Sequence, residues 1–292
     1  MARRRPPTVH GLAVVDKPAG VTSHDVVGML RRRLGERRVG HAGTLDPDAT
    51  GVLLVGVGNC TRLLRFLTDL GKTYTGQVVF GSTTDSLDST GVVTGTFDMA
   101  GLRPEQVRAM VAERLTGPIL QVPPMVSAVK VDGRRLHELA REGIEVDRAE
   151  RPVTVYRFDV EPTADPLVYD IEVHCSKGTY IRTLADDLGR LCGGGAHLRG
   201  LRRVAVGGFT VAEAVAPDDV VLRPLTEAMR DYPAVVVDQA TAALVRNGRV
   251  LDRGESFTGD GPWAVVAPDG ALLAMYEAHR AQVKPAVVIP SS

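Results

Sequence analysis

The sequence predicts an α+β fold: a largely antiparallel mixed sheet flanked by helices, with a small β-barrel-like domain at the C-terminal end. Three observations carry that reading. The chain of 292 residues is 44% hydrophobic, long and apolar enough to bury one large core or two unequal ones. Strand-like and helix-like stretches follow one another without a regular βαβ rhythm. Near residue 230 the texture changes to short strand-like runs punctuated by Gly248, Gly254, Gly259, Gly261 and Gly270. Residues 1–10 therefore read as a basic flexible tail, 11–230 as the main domain and 231–292 as a small β-rich accessory domain.

Gly11 to Val15 reads as a strand closed by the turn cluster Asp16-Lys17-Pro18-Ala19-Gly20. Thr22 and Ser23 offer an N-cap to a helix whose Val26, Val27, Leu30 and Leu34 recur at helical spacing, and Gly35 stops it. Val39 to Gly51 carries glycines, a His, two carboxylates and a Pro with no apolar period, and reads as a loop. Val52 to Val57 reads as a buried strand, Cys60 to Leu70 as an amphipathic helix, and Lys72 to Gly81 as a strand. A polar turn, Thr83 to Gly91, precedes a strand at Val92 to Phe97, and Pro104 opens a helix reaching Leu115. After the Pro123-Pro124 break, a strand at Val126 to Val131, the Asp132-Gly133 turn and a short helix at Leu136 to Glu142 are expected. Val153 to Val160 and Leu167 to Cys175 read as strands, the second alternating Val168, Asp170, Glu172 and His174 against Leu167, Tyr169, Ile171 and Val173. Thr179 to Leu191 reads as a helix entered through Ser176-Lys177-Gly178, and Leu201 to Val206 as a strand. A helix at Thr241 to Asn247 then precedes a hairpin of Trp263 to Ala267 and Leu272 to Tyr276 across Pro268-Asp269-Gly270, with Val287 to Ile289 closing the small barrel.

Lys+Arg and Asp+Glu balance at 35 each, which argues against a surface coated in basic residues but leaves room for local patches. Aromatic content of 4% is too sparse for a multi-base stacking platform, so a nucleic acid would be held mainly through its backbone. Arg31, Arg32, Arg33, Arg37 and Arg38 have only Glu36 nearby to neutralise them. They form either a solvated face or a phosphate-facing patch, and the second is favoured. Cys60, Cys175 and Cys192 are odd in number and lack paired ligand spacing, pointing to a reducing compartment with no disulfide frame and no zinc site. No run of 18 apolar residues could span a membrane, and Met1 to Pro7 lacks the apolar core of a signal peptide. A cytoplasmic, monomeric protein is expected.

The chemistry is placed in the Val39 to Gly51 loop, where Pro47 restricts the backbone of Asp46 and so partly presets the direction of its carboxylate. Asp46-x-Asp48-x-Thr50 matches the pattern by which haloacid dehalogenase-type phosphoryl-transfer enzymes present an aspartate nucleophile. Those enzymes need an apolar strand before the first Asp, which Gly40-His41-Ala42-Gly43-Thr44 does not supply. A glycosidase would pair Asp46 with Asp85 or Asp88 at a separation the sequence does not give. The commonest role of such a residue is simply to cap a turn.

Four motifs in order decide between these. They are Val15-Asp16-Lys17-Pro18-Ala19-Gly20-Val21-Thr22-Ser23, the run from Gly40 to Gly51, Lys72-Thr73-Tyr74, and the run from Cys175 through Thr179-Tyr180-Ile181-Arg182 to Gly189. Over residues 11–230 the chain resembles the bacterial tRNA pseudouridine synthase B family, which acts on the T-loop of tRNA. The end of the chain looks like a short version of the RNA-binding (PUA-like) barrel that many members carry. The resemblance implies a pseudouridine synthase-like fold and conversion of the T-loop uridine at position 55 to pseudouridine. The base is flipped out, and neither metal nor cofactor is required; the T-arm stem-loop of tRNA is the implied partner. Asp46 would be the nucleophile, and Arg182 would pair with it, since a guanidinium within about 4–6 Å lowers a carboxylate's pKa by roughly 1–3 units. Tyr74 would stack on the target base, His41 would sit against the RNA where the uridine has left its stack, and Tyr180 and Leu201 would line the uracil pocket. Taken singly, Tyr74 and Leu201 are ordinary core positions, Arg182 a helix surface charge and His41 a loop His bonded to backbone. Lys17 and Pro18 would buttress the loop, and Asp85 and Asp88 would order the turn near the site. Extruding a base costs a few kcal/mol. The arginines at 31–33, 37–38, 134–135, 199 and 202–203 are the expected backbone contacts that offset it.

Overall fold

A computed structural model describes residues 6–127, 130–131, 133–135, 142–144 and 146–290. By compactness the chain divides into two units: one joins the residues up to Leu70 to those from Val206 onward, and the other runs from Gly71 to Ala205.

The first unit begins with β1 (Gly11–Lys17), α1 (Ser23–Leu34), β2 (Val39–Ala42) and β3 (Thr50–Val57). β1 and β2 lie antiparallel on opposite edges of β3, so that Val57 faces Gly11 on one side and Val39 on the other. β3 is a continuous apolar run because both of its faces are covered. Val52 and Leu54 join Leu12 and Val14 in one cluster, while Leu53, Val55 and Val57 join Ala13, Val15 and the Val26, Val27 and Leu30 stripe of α1 in another. Thr22 starts α1 through a capping box closed by Asp25. The Asp25 N–H donates to Thr22 Oγ1 at 3.0 Å, and the Thr22 N–H donates to Asp25 Oδ2 at 2.8 Å. The expected loop is therefore shorter than Val39 to Gly51. Its first residues form β2, which the glycine content masked, and Gly40 is small because a Cβ there would stand 3.0 Å from Leu64 Cδ1. The helix expected over Cys60 to Leu70 divides into a tight turn, Gly58–Arg62, and α2 (Leu64–Asp69). The Cys60 carbonyl accepts from the Leu63 N–H only three residues on, which breaks the α-helical ladder.

The second unit carries β4 (Lys72–Phe80), the hairpin β5 (Ser82–Thr84) and β6 (Val93–Thr96), α3 (Pro104–Arg114), β7 (Gly117–Gln121), the short pair β8 (Lys130–Val131) and β9 (Arg134–Arg135), β10 (Arg151–Pro162), β11 (Val168–Cys175), α4 (Ile181–Leu191) and β12 (Ala196–Val206). Its sheet runs β12, β4, β11, β10, β7, with β4, β11, β10 and β7 antiparallel in turn. In β11 the alternation holds from Tyr169 onward, with Tyr169, Ile171 and Val173 buried and Asp170 and His174 exposed; Val168 is buried as well. α4 packs on α3 and β4. β12 starts at Ala196, five residues before the expected Leu201, because Gly200 takes a left-handed φ of 65 inside the strand instead of ending it. The strand expected over Val126 to Val131 is reduced to β8, with residues 128 and 129 outside the described residues. The helix expected at Leu136 to Glu142 lies, over 136–141, outside the described residues.

The chain then returns to the first unit with β13 (Phe209–Thr210), α5 (Leu225–Ala228), β14 (Ala234–Val236), α6 (Gln239–Arg246), β15 (Leu251–Asp252), β16 (Trp263–Val266), β17 (Leu272–His279) and β18 (Gln282–Val288). Five of these strands form a sheet in the order β14, β16, β17, β18, β15, with β14 parallel to β16 and the other pairs antiparallel. The expected hairpin is β16–β17. Trp263 is fully buried on one face against Phe257, Ala242 and Val245, and its indole N–H donates to the Thr258 carbonyl at 2.6 Å. The other face sends Ala264, Val266, Leu272 and Met275 into the cluster that holds Leu12, Leu54 and Phe66. No helix among the described residues is long and apolar enough to cross a membrane.

A charged clamp closes the first unit. Arg223 Nη1 donates to Glu213 Oε2 at 2.6 Å and Glu227 Oε1 at 2.7 Å, and Arg230 donates to both Glu213 oxygens at 2.9 and 2.6 Å while lying 3.8 Å over the Phe209 ring. The Arg230 hydrogen bonds, helped by Arg223 and outweighing burial, pull the Glu213 carboxyl from 4.5 down to about 2. Its stabilisation is complete above 4.5 and disappears as the pH falls through about 2. Glu213→Gln is therefore expected to cost about 2 kcal/mol at neutral pH, with the gap to wild type closing across that acid window. Denaturant melts from pH 7 downward read it directly.

Candidate active site

Asp46 sits half-buried in the loop between β2 and β3, and the peptides on both sides of it are held. On one side Leu45 is gripped twice by Ser23: its N–H donates to Ser23 Oγ at 2.8 Å, and that hydroxyl donates to the Leu45 carbonyl at 3.1 Å. On the other side the Pro47 carbonyl accepts from Lys17 Nζ at 2.9 Å and from the Gly20 N–H at 3.0 Å. Lys17 is fully buried and also donates to the carbonyls of Pro18 and Val21, at 2.9 and 2.7 Å. A buried ammonium surrounded by carbonyl oxygens is stabilised only in that geometry, so it resists loop displacement. The first motif is thus the buttress of the second, as expected of Lys17. The loop is polar and Gly-containing, yet its backbone is fixed where the carboxylate branches from it. His41 lies on β2 opposite Val55, half-buried, one strand step upstream of this loop.

The remaining sequence-derived candidates belong to the second unit. Arg182, in the first turn of α4, is only 4% exposed. Its guanidinium donates to the Ser86 carbonyl at 2.9 Å and the Val126 carbonyl at 2.7 Å, and stands 3.7 Å from Asp88 Oδ2. Asp88 in turn ties its own turn together, accepting from Ser86 Oγ at 2.7 Å and from the Thr90 N–H at 3.0 Å, and Asp85 accepts from the Val92 N–H at 2.9 Å. Both acids order that turn, as expected. Tyr180 is the residue before α4 and so lies beside Arg182. Tyr74 is buried on β4, opposite Val173, with the Arg203 guanidinium 6.0 Å from its ring centre. Leu201 lies on neighbouring β12, where a Cβ on Gly76 would stand 3.5 Å from its Cα. Burial pushes the Cys175 thiol up to about 11, which leaves it protonated and unreactive near neutral pH.

Two further groups carry no signal in the sequence alone. Ser23 reads there only as the start of a helix. Gln121, at the end of β7 and 2% exposed, sends its side-chain amide to the backbone of Tyr180.

The motif order can be set beside known proteins. The N-terminal domain of the TruB family of pseudouridylate synthases matches residues 31–181, and two C-terminal domains of the same enzymes match 182–232 and 232–290. The chain belongs to the TruB family. Among TruB relatives, the tRNA pseudouridine synthase B of Arthrobacter sp. (strain FB24) is 42% identical over 306 residues, covering 97% of each chain. That of Streptomyces coelicolor is 44% identical over 290 residues, covering 95% of this chain and 96% of its own. The fold is shared more widely. A Cbf5-Nop10-Gar1 complex contains a chain with TM-score 0.73 at 24% identity, covering 97% of this chain and 87% of that one. An H/ACA RNP bound to a substrate RNA containing 2′-deoxyuridine contains another with TM-score 0.71 at 22% identity, covering 96% and 85%. This TruB-family chain is accordingly a pseudouridine synthase, an isomerase. The α+β reading of the sequence holds with it.

Proposed function

We propose that this chain, acting as a monomer in the cytoplasm, converts uridine 55 in the T-loop of tRNA to pseudouridine without metal or cofactor. The observation that carries the proposal is Asp46 held on a loop whose neighbouring peptides are both pinned, in a chain whose relatives are named tRNA pseudouridine synthase B. The target base is extruded from its stack. The bond between C1′ and N1 breaks, the uracil turns within the pocket, and a bond forms between C1′ and C5. The C5 proton leaves and N1 ends with one, so atoms and electrons balance without an oxidant. The Asp46 carboxylate either attacks C1′ or takes the 2′ proton, and in both routes it is regenerated. Arg182 pairs with Asp46 and keeps it ionised. Tyr74 stacks on the base, Tyr180 and Leu201 line the uracil pocket, and His41 lies against the RNA vacated by the uridine.

Arg31, Arg33 and Arg38 donate to the carbonyls of Val39, Pro217 and Val220 and to Thr61 Oγ1, neutral acceptors that do not themselves cancel the guanidinium charge, which supports a role in holding phosphates. The test is incubation with an unmodified T-arm hairpin labelled with tritium at carbon 5 of the target uridine, in the presence of a chelator. Stoichiometric tritium release with pseudouridine in the digest is expected. Tight binding without release would mean an RNA-folding factor with no chemistry of its own.

A further inference from the structure

The residue that opens α4 is a tyrosine, and Tyr180 makes no side-chain capping bond there. Ser, Thr, Asp and Asn are the residues that stabilise such a position, so a tyrosine there leaves helix stability to be supplied from elsewhere. Gln121 supplies it. Its Oε1 accepts from the Tyr180 N–H at 2.8 Å and its Nε2 donates to the Tyr180 carbonyl at 3.0 Å. One planar amide thereby pairs with both backbone groups of a single residue, whose carbonyl also accepts the first helical N–H, from Leu184, at 3.1 Å. The five residues after Gln121 continue the grip. The Thr183 hydroxyl donates to the Val122 carbonyl at 3.5 Å, and the Arg182 guanidinium donates to the Val126 carbonyl. Pro123-Pro124 lies between them, where the chain has no N–H to offer a competing bond, and the Arg148 guanidinium donates to the Pro123 carbonyl at 3.0 Å. The segment 121–126 is therefore a socket for residues 180, 182 and 183.

We propose that Gln121 is a positioning residue for pseudouridine formation: its amide fixes the Tyr180 peptide and so sets the directions of the Tyr180 ring and the Arg182 guanidinium. The inference rests on the function proposed above and adds to it a buried group that touches neither base nor sugar. Removing the amide leaves Tyr180 without that grip, so the pocket wall and the guanidinium two residues on lose their common reference. Small misplacements of the groups that aim the reacting carboxylate and base lower kcat far more than they raise KM, because most of the RNA's binding is made elsewhere, along its backbone.

The experiment compares wild type, Gln121→Ala and Gln121→Glu on the T-arm hairpin. Gln121→Ala is expected to lose about 10²-fold in kcat with KM changed by less than about threefold. Gln121→Glu supplies a readout that loosened packing would not give. A protonated carboxyl has one acceptor and one O–H donor and restores both bonds to Tyr180, whereas the ionised form can only accept and turns an oxygen against the Tyr180 carbonyl. Burial raises a carboxyl pKa toward neutrality, so the kcat of Gln121→Glu divided by that of wild type should climb as the pH is lowered from about 8.5 to about 5.5. Dividing by wild type cancels the enzyme's own titrations. If Gln121→Ala does not fold, the Glu variant at low pH carries the test alone. A ratio flat with pH, or an Ala variant with wild-type kcat or with KM alone raised, would overturn the assignment. If wild type itself releases no tritium, it is the proposed reaction that fails.

Discussion

Asp46→Asn is expected to abolish pseudouridine formation, lowering kcat by about 10⁴-fold or more, while the protein still folds and still binds the T-arm hairpin. The two side chains are nearly the same shape, and the peptides on either side of position 46 have anchors of their own. Leu45 and Pro47 are held by Ser23, Lys17 and Gly20 through main-chain atoms that the substitution does not touch. A neutral amide, however, can neither attack C1′ nor accept the 2′ proton, so both routes of the proposed reaction close together. Thermal melts, gel-shift affinity and tritium release on one preparation separate these effects. Turnover near the wild-type rate would remove Asp46 from the mechanism. Loss of binding along with turnover would instead make the carboxylate a recognition group.

What the sequence reveals of this molecule follows the range of the interactions concerned. α1 is legible because Thr22, Asp25, the Val26–Leu30 stripe and Gly35 act within a few residues of one another. Asp46 is legible because its motif is contiguous, and Lys17 because its motif lies nearby. β2 is hidden because its identity as a strand depends on pairing with β3, while its own residues include a glycine that exists to admit Leu64. The burial of Arg182 is equally hidden, since an arginine on a helix is ordinarily solvated. Its acceptors on Ser86 and Val126 lie 96 and 56 positions away, and only the folded chain brings them in. Gln121 meets Tyr180 across 59 positions and carries no local signature at all. The two-unit organisation has the same origin. Leu272 and Met275 sit in a β-rich stretch that reads as separate, yet they share a cluster with Leu12 and Leu54.

Arg182→Lys is expected to lose about 10²-fold in kcat with the fold retained, and it is a sharper experiment than Arg182→Ala. Truncation to Ala removes the donor from two carbonyls and takes the 3.7 Å partner from Asp88, whose side chain is 21% exposed. Leaving two carbonyls without their donor costs about 2–4 kcal/mol, so an inactive Ala variant could simply be an unstable one. Lysine keeps the charge and most of the volume but is a point donor on a flexible stem. The guanidinium is a rigid fork whose Nη1 and Nη2 reach Ser86 and Val126 on separate sides. An ammonium has donors enough, as Lys17 shows, but they radiate from one atom. They do not reproduce the separate reach of Nη1 and Nη2 to these two carbonyls while also facing a carboxylate. The proposed pairing with Asp46 adds a pH signature. A less well-placed cation favours the ionised carboxylate less, and the nucleophile is active only above its own pKa. The acidic limb of kcat in Arg182→Lys therefore moves to higher pH than in wild type, while melting curves of the two proteins stay close. Turnover within a few-fold of wild type, or an acidic limb that does not move, would leave Arg182 as a purely structural anchor of the Ser86 and Val126 segments.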